Sequence, residues 1–178
     1  TDNLRDDLNE LRCLQNWQRL SKWPDEMAAR FVMETDASGR GWGGVLYLRG
    51  ENHLVGGRFE GQDLDLPIHV KELLAIKWTL GALGHLLKDC FLDLCTDNTI
   101  VESTVLKGSA KDVVMRAYSR TLLRFQLDTN VVVRVFRIST TDNVVADGLS
   151  RAEFPAREEY DRNDHRLNPA LFERMCKW

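Results

Sequence analysis

Four carboxylates in this chain stand where a carboxylate is costly to place. Asp36 closes the run Phe31-Val32-Met33-Glu34-Thr35, and Glu72 lies at the start of Lys71-Glu72-Leu73-Leu74-Ala75-Ile76. Asp97 follows Phe91-Leu92-Asp93-Leu94-Cys95-Thr96, and Asp147 sits within Asn143-Val144-Val145-Ala146-Asp147-Gly148-Leu149-Ser150-Arg151. An ionised carboxylate beside apolar side chains loses hydration unless a cation or hydrogen-bond donors replace it. If these four converged they would also repel one another. A divalent metal is the natural remedy, because hard oxygen ligands suit Mg²⁺ or Mn²⁺. Each acid taken singly has a structural reading too. Asp36 and Asp97 could end strands, Glu72 could be a solvated helix charge, and Asp147 could serve a hydrogen bond in a last helix. The order of all four along the elements is what carries information.

Those elements follow from the apolar periodicity. Leu4, Leu8, Leu11 and Leu14 repeat at helical spacing, Trp17 and Trp23 extend the apolar character, and Pro24 ends it. Strands are predicted over 31–35, 42–48 and 53–59. The first two connections, Ser38-Gly39-Arg40-Gly41 and Arg49-Gly50-Glu51-Asn52, are short enough to imply an antiparallel meander. A long helix is predicted from Ile68 to Leu87, with Leu73, Leu74, Ile76, Leu80, Leu83 and Leu87 as its apolar stripe. The short apolar run 91–95 suits a strand buried on both faces. A short helix after Asn98, a longer one over 111–127, a strand over 131–136 and a helix over 142–151 complete the order. The result is an α/β mixed sheet covered by helices. It falls into an N-terminal helical segment (residues 1–29), a central domain (30–152) and a C-terminal tail (153–178).

Gly39-Arg40-Gly41-Trp42-Gly43-Gly44 has the glycine density of a dinucleotide-binding loop. A strand rather than a helix follows it, so no helix N-terminus meets a pyrophosphate there. A tight hairpin with small residues near a bound backbone fits better.

The 178 residues suffice for one full core, and a hydrophobic fraction of 43% with 29% charged residues is that of an ordinary globular domain. No apolar run reaches membrane-spanning length, and the start Thr1-Asp2-Asn3-Leu4 does not read as a secretory signal. An opening at Thr1 without a Met reads as a piece of a longer protein or as the product of processing. Cys13, Cys90, Cys95 and Cys176 show neither zinc spacing nor a disulfide framework, which predicts reduced thiols and an intracellular setting. A net charge of −3 disfavours a free-standing nucleic-acid binder, whose grip comes largely from Lys and Arg on phosphates.

The words Thr35-Asp36-Ala37-Ser38, Lys71-Glu72-Leu73-Leu74-Ala75-Ile76, Thr96-Asp97-Asn98 and Asn143-Val144-Val145-Ala146-Asp147-Gly148-Leu149-Ser150-Arg151 stand in a telling order. That order resembles the ribonuclease H domain of reverse-transcribing retroelements, in particular gypsy-type and DIRS-like retrotransposons, from Phe31 to Arg151. The resemblance implies a ribonuclease H-like five-stranded sheet, with three antiparallel hairpin strands plus parallel strands, flanked by helices. It implies cleavage of the RNA strand of an RNA/DNA hybrid with two Mg²⁺ ions, or Mn²⁺. Asp36 would bridge both ions, Glu72 and Asp97 would hold the one on the leaving-group side, and Asp147 the one that orients water. Gly39, Arg40, Asn98 and Arg137 are the implied hybrid contacts, while Gly39 and Arg40 as turn residues and Asn98 as a helix cap are the plain structural readings. The implied partner besides the hybrid is the polymerase domain of the same polyprotein. The Trp-bearing leading helix looks like the connection to that polymerase, and Arg166-Leu167-Asn168-Pro169 looks like the segment that follows in DIRS-like polyproteins.

Two departures stand out. Members of this family often carry a loop His before the last helix, and here Arg137-Ile138-Ser139-Thr140-Thr141-Asp142-Asn143 puts Arg137 in its place. A basic, Trp-rich handle helix is also absent from the sequence, so weak hybrid binding by the isolated domain is expected. An integrase-like core shares the fold but calls for no acid on the first long helix, so Glu72 argues for ribonuclease H. The alternative of another class is an inactive ribonuclease H-like scaffold or partner-binding module.

Overall fold

Strand β1, Arg30–Ala37, runs through the centre of a five-stranded sheet of order β3-β2-β1-β4-β5. A computed structural model describes residues 29–108 and 110–152, together with residues 5, 8, 9 and 12. The leading helix with Trp17 and Trp23, apart from those isolated positions, and the tail 153–178 lie outside the described residues. Strands β2 (Gly41–Leu48) and β3 (Glu51–Arg58) form the expected antiparallel meander with β1. Strands β4 (Cys90–Thr96) and β5 (Val131–Arg137) add in parallel on the other side.

The β2–β3 hairpin is tighter than expected. Arg49 and Gly50 alone make the turn, with φ of 53° and 85°, as a two-residue turn matched to strand twist requires. Strand β3 therefore starts at Glu51 rather than at residue 53. Helix α1, Ile68–Leu83, ends a turn earlier than predicted and continues as a 3-10 turn over Gly84–Leu86. Gly84 is where it tightens: a Cβ there would stand 2.7 Å from the Phe125 ring. Beyond the turn, Leu87 becomes extended and is buried in the core. Helix α1 is buried nearly all round, not along one stripe, because it lies between the sheet and a second helix layer.

That layer comprises α2, Thr99–Lys107, and α3, Val113–Thr129. The Asn98 side chain caps α2 by accepting from the amides of Ile100 and Val101, and left-handed Gly108 closes it. The Asp112 side chain caps α3, which begins two residues later than predicted for that reason. Met33, Leu46, Leu74, Leu92, Leu94 and Phe125 fill the space between sheet and helices.

The last helix, α4, spans Val144–Arg151 and packs on β1, β2 and β3. It starts two residues later than predicted because the Ser139 carbonyl accepts from the amides of both Asp142 and Asn143, holding them in a loop. The glycine-rich word explains how two helices approach one strand. A Cβ on Gly43 would lie 2.5 Å from Leu149 Cβ and 2.6 Å from the Ala146 carbonyl, whereas a Cβ on Gly44 would meet Thr79 Oγ1 at 2.1 Å. Neighbouring strand residues face opposite sides, so α4 lies on one face of β2 and α1 on the other. The backbone that approaches this word is the protein's own, that of α4. No helix among the described residues is long and apolar enough to cross a membrane.

Candidate active site

Parallel pairing of β1 with β4 sets Glu34 opposite Cys95. Two residues further along each strand, Asp36 and Asp97 therefore emerge side by side. Helix α1 begins just after Pro67, and its first turns bring Glu72 to the same end of the sheet. Carboxylate oxygens of Asp36, Glu72 and Asp97 all lie within 4.8 Å of one another. Asp36 and Glu72 are buried, and Asp97 is half-buried.

Each member of the trio has its own support. Ser150 Oγ donates to Asp36 Oδ2 at 2.6 Å, and Thr140 Oγ1 donates to Asp97 Oδ2 at 2.8 Å. The Ala37 backbone N–H donates to Glu72, yet Glu72 Oε2 is fully buried without any hydrogen-bond partner. Burial pushes the Glu72 carboxyl up to about 9, and the charges of Asp36 and Asp97 add to the rise while the Ala37 amide opposes it. Burial also lifts Asp36; the Ser150 hydroxyl and, more weakly, Arg151 oppose this, and the nearby charges of Asp147 and Asp97 reinforce it. Three carboxyls this close do not all ionise unaided. An all-oxygen donor set with one orphaned oxygen fits a hard divalent cation such as Mg²⁺ or Mn²⁺.

Asp147 projects from α4 outside that trio. Its Oδ1 accepts from Arg151 Nε at 2.8 Å and from Arg151 Nη2 at 2.6 Å, one helical turn along. Ser150 Oγ, which bonds both Asp36 Oδ2 at 2.6 Å and the Asp147 carbonyl at 3.0 Å, sets Asp147 beside the trio. The structure thus brings three of the four predicted acids together and holds the fourth beside them on an exposed arginine.

The four residues considered for substrate contact do not form one cluster. Gly39 and Arg40 are exposed in the β1–β2 turn. Asn98, next to Asp97, is half-buried and caps α2. Arg137 is exposed at the end of β5 and pairs in register with Thr96, so it flanks Asp97 from the other side. The loop after it carries hydroxyls where a His word was looked for: Ser139 Oγ bonds Asp142 Oδ2 at 2.6 Å and Thr141 Oγ1 at 2.7 Å, and Thr140 reaches Asp97.

Several supporting residues escaped the sequence reading. Asn143 is fully buried, and its Nδ2 donates to the Thr35 carbonyl at 3.1 Å, which ties the start of α4 to β1. Ser150 does the same from the end of α4, and Ser38 Oγ donates to the Ser150 carbonyl at 2.7 Å. A signal for two of them existed. Asn143 and Ser150 stand four residues before and three after Asp147, the spacing that shares one helix face.

Residues 26–126 match the family described as the RNase H-like domain found in reverse transcriptase. No curated protein matches the chain by sequence. Among solved structures, RNase H1 from the halophilic archaeon Halobacterium salinarum superposes with a TM-score of 0.56 at 18% identity, covering 68% of this chain and 94% of its own. An RNase H1 isolated from compost by a metagenomic approach, solved in complex with an RNA/DNA hybrid, gives 0.52 at 16% identity over 67% of this chain and 92% of its own. The N-terminal RNase H domain of a Mycobacterium tuberculosis protein gives 0.52 at 15% identity over 68% and 95%. The open mixed sheet with its flanking helices is the RNase H fold.

Proposed function

We propose that this chain, which belongs to the family of RNase H-like domains found in reverse transcriptase, hydrolyses the RNA strand of RNA/DNA hybrids. The observation that carries this reading is the cluster of Asp36, Glu72 and Asp97 within 4.8 Å, with Glu72 Oε2 buried and unpartnered. Asp36, Glu72 and Asp97, joined by Asp147 on leaving Arg151, would hold a pair of Mg²⁺ or Mn²⁺ ions. Bound there, such ions supply a nucleophilic water at neutral pH and stabilise charge on the departing 3′-oxygen.

The side chains do the positioning. Ser150 and the Asn143 side chain fix the end of β1, so that Asp36 presents its oxygens without rotating into solvent. Thr140 holds Asp97, and the Ala37 amide holds Glu72. Carboxylates fixed on strand and helix ends need little reorganisation when charge develops. Gly39, Arg40, Asn98 and Arg137 surround this end of the sheet as the hybrid contacts, and 2′-hydroxyls in the wide minor groove distinguish the RNA strand. Products carry 5′-phosphate and 3′-hydroxyl ends. The compost enzyme captured with an RNA/DNA hybrid supports the substrate class.

The setting proposed is reverse transcription by a gypsy-type or DIRS-like retroelement inside a host cell, with the polymerase of the same polyprotein supplying much of the grip. A domain spanning 30–152 between a connection segment and a tail suits that arrangement, and a net charge of −3 over the whole chain goes with weak affinity for the hybrid in the absence of that partner. An inactive scaffold is the second reading. The pairing of Asp147 with Arg151 and the arginine at position 137 favour it.

Incubation with an end-labelled RNA/DNA hybrid and Mg²⁺ or Mn²⁺ separates the two. Cleavage confined to the RNA strand that disappears in Asp36→Asn supports the enzyme. No cleavage with either metal supports the scaffold.

A further inference from the structure

A lysine is buried beside the acids, and among the described residues no carboxylate comes within ion-pair distance of it, Asp63 acting on it only from further off. Lys71 precedes Glu72 on α1 and is only 4% exposed. Among the described residues no ion pair reaches its ammonium. Nζ instead donates to two backbone carbonyls, Gly39 at 2.6 Å and Leu64 at 2.9 Å, and lies 5.4 Å from the centre of the Phe59 ring. A buried ammonium satisfied mainly by neutral acceptors is an uncommon choice. A neutral donor would hold two carbonyls with less desolvation, so both the charge and the grip call for a use.

The object gripped supplies one. The β1–β2 turn is held from both faces of the sheet: Lys71 of α1 bonds the Gly39 carbonyl, while Ser38 bonds α4 through the Ser150 carbonyl. Ser38 Oγ also accepts from the amides of Arg40 and Gly41 at 3.3 and 2.9 Å. The turn is thereby tied to both helices that carry site acids. At its tip, Gly39 is a glycine that the fold itself does not demand. It has no positive φ, and a Cβ there would meet nothing within 4 Å. A small residue with open space above it, on a pinned backbone, suits the close approach of another backbone. A cation just beneath suits a polyanion.

We propose that Lys71 is a positioning residue for substrate: it fixes the β1–β2 turn at the height of the acid cluster, so that Gly39 and Arg40 meet the sugar–phosphate backbone of the hybrid. It acts through the turn and touches no reacting atom. This assignment rests on a hybrid being the substrate, as proposed above.

The test compares wild type, Lys71→Met and Lys71→Arg in steady-state hybrid cleavage. Mn²⁺ affinity by calorimetry and hybrid binding by fluorescence anisotropy in EDTA, where nothing is cleaved, complete the comparison. Methionine keeps the apolar stem and removes charge and donors. Lys71→Met is expected to raise KM and the anisotropy Kd by roughly fivefold to tenfold, the scale of one net hydrogen bond. It should leave kcat within about twofold and Mn²⁺ affinity unchanged. Lys71→Arg should restore most of the loss. An unchanged KM and Kd in Lys71→Met overturns the proposal, as does a fall in kcat together with lost Mn²⁺ binding, which would make Lys71 a prop for Glu72. A wild type that binds hybrid but cleaves none sinks the hydrolase alone and leaves the anisotropy comparison decisive. A wild type that binds no hybrid overturns both.

Discussion

Ser150 and Asp36, 114 residues apart in sequence, meet through a 2.6 Å hydrogen bond at the buried edge of the acid cluster. The hydroxyl of the last helix thus steadies the carboxylate of the first strand. It also opposes the rise in the Asp36 pKa that burial imposes.

Removing that hydroxyl has two readable effects. Ser150→Ala leaves a buried carboxylate short of a donor and should lower stability by about 1–2 kcal/mol. It also lifts the Asp36 pKa further, so the acidic limb of the pH–rate profile should move to higher pH. Urea denaturation and a pH series of hybrid cleavage check the pair of outcomes. An unmoved acidic limb would show that the bond matters to packing only.

Glu72 makes the metal-free protein sensitive to alkali. Its carboxyl is raised from an ordinary 4.5 to about 9, with burial the main cause. Between those values the folded chain binds more protons than the unfolded one, so stability falls as pH rises, and the loss is complete above about 9. In EDTA, Tm should decline steadily from pH 5 to pH 9. Glu72→Gln should flatten the decline and raise Tm at pH 8, and added Mn²⁺ should restore wild-type Tm there. Calorimetric scans across pH decide this, and a flat wild-type profile in EDTA would refute it.

Gly43 and Gly39 predict opposite results from one substitution. Alanine at 43 drives a methyl against Leu149 and the α4 backbone at 2.5–2.7 Å. Gly43→Ala should destabilise by about 1–3 kcal/mol and displace Asp147 and Ser150 from the site, with loss of cleavage. Gly39→Ala should leave stability within about 0.5 kcal/mol while raising KM for the hybrid. Denaturation midpoints and steady-state kinetics on the two variants test both halves. Equal stability losses would remove the distinction.

Much of this layout was legible from residue patterns, and its gaps have physical causes. Alternation and apolar runs placed all five strands, and Asn98 declared itself as a cap by standing before a helical run. The β3 start was missed because a two-residue turn at Arg49-Gly50 looks in sequence like a longer polar loop. The end of α1 was missed because its apolar pattern continues to Leu87, whereas the chain tightens at Gly84 under Phe125. The meeting of Asp36 with Asp97 depends on the parallel register of β1 and β4, which no local spacing encodes. Lys71 illustrates a harder case. A lysine beside a glutamate on a helix reads as solvated, and only the turn folded over it shows otherwise.

The separation between Asp36 and Ser150 also sets an order in time. A chain emerging from its N-terminal end completes β1 and its hairpin first, then α1 and β4, and only at the end the helix that bonds Asp36. Pairing across such distances is slow to form and is lost early when a chain is cut short. A nascent or truncated copy ending before residue 143 holds the three clustering acids, but lacks Asn143, Asp147 and Ser150. The proposed nuclease competence would then arrive only with the final stretch of the domain.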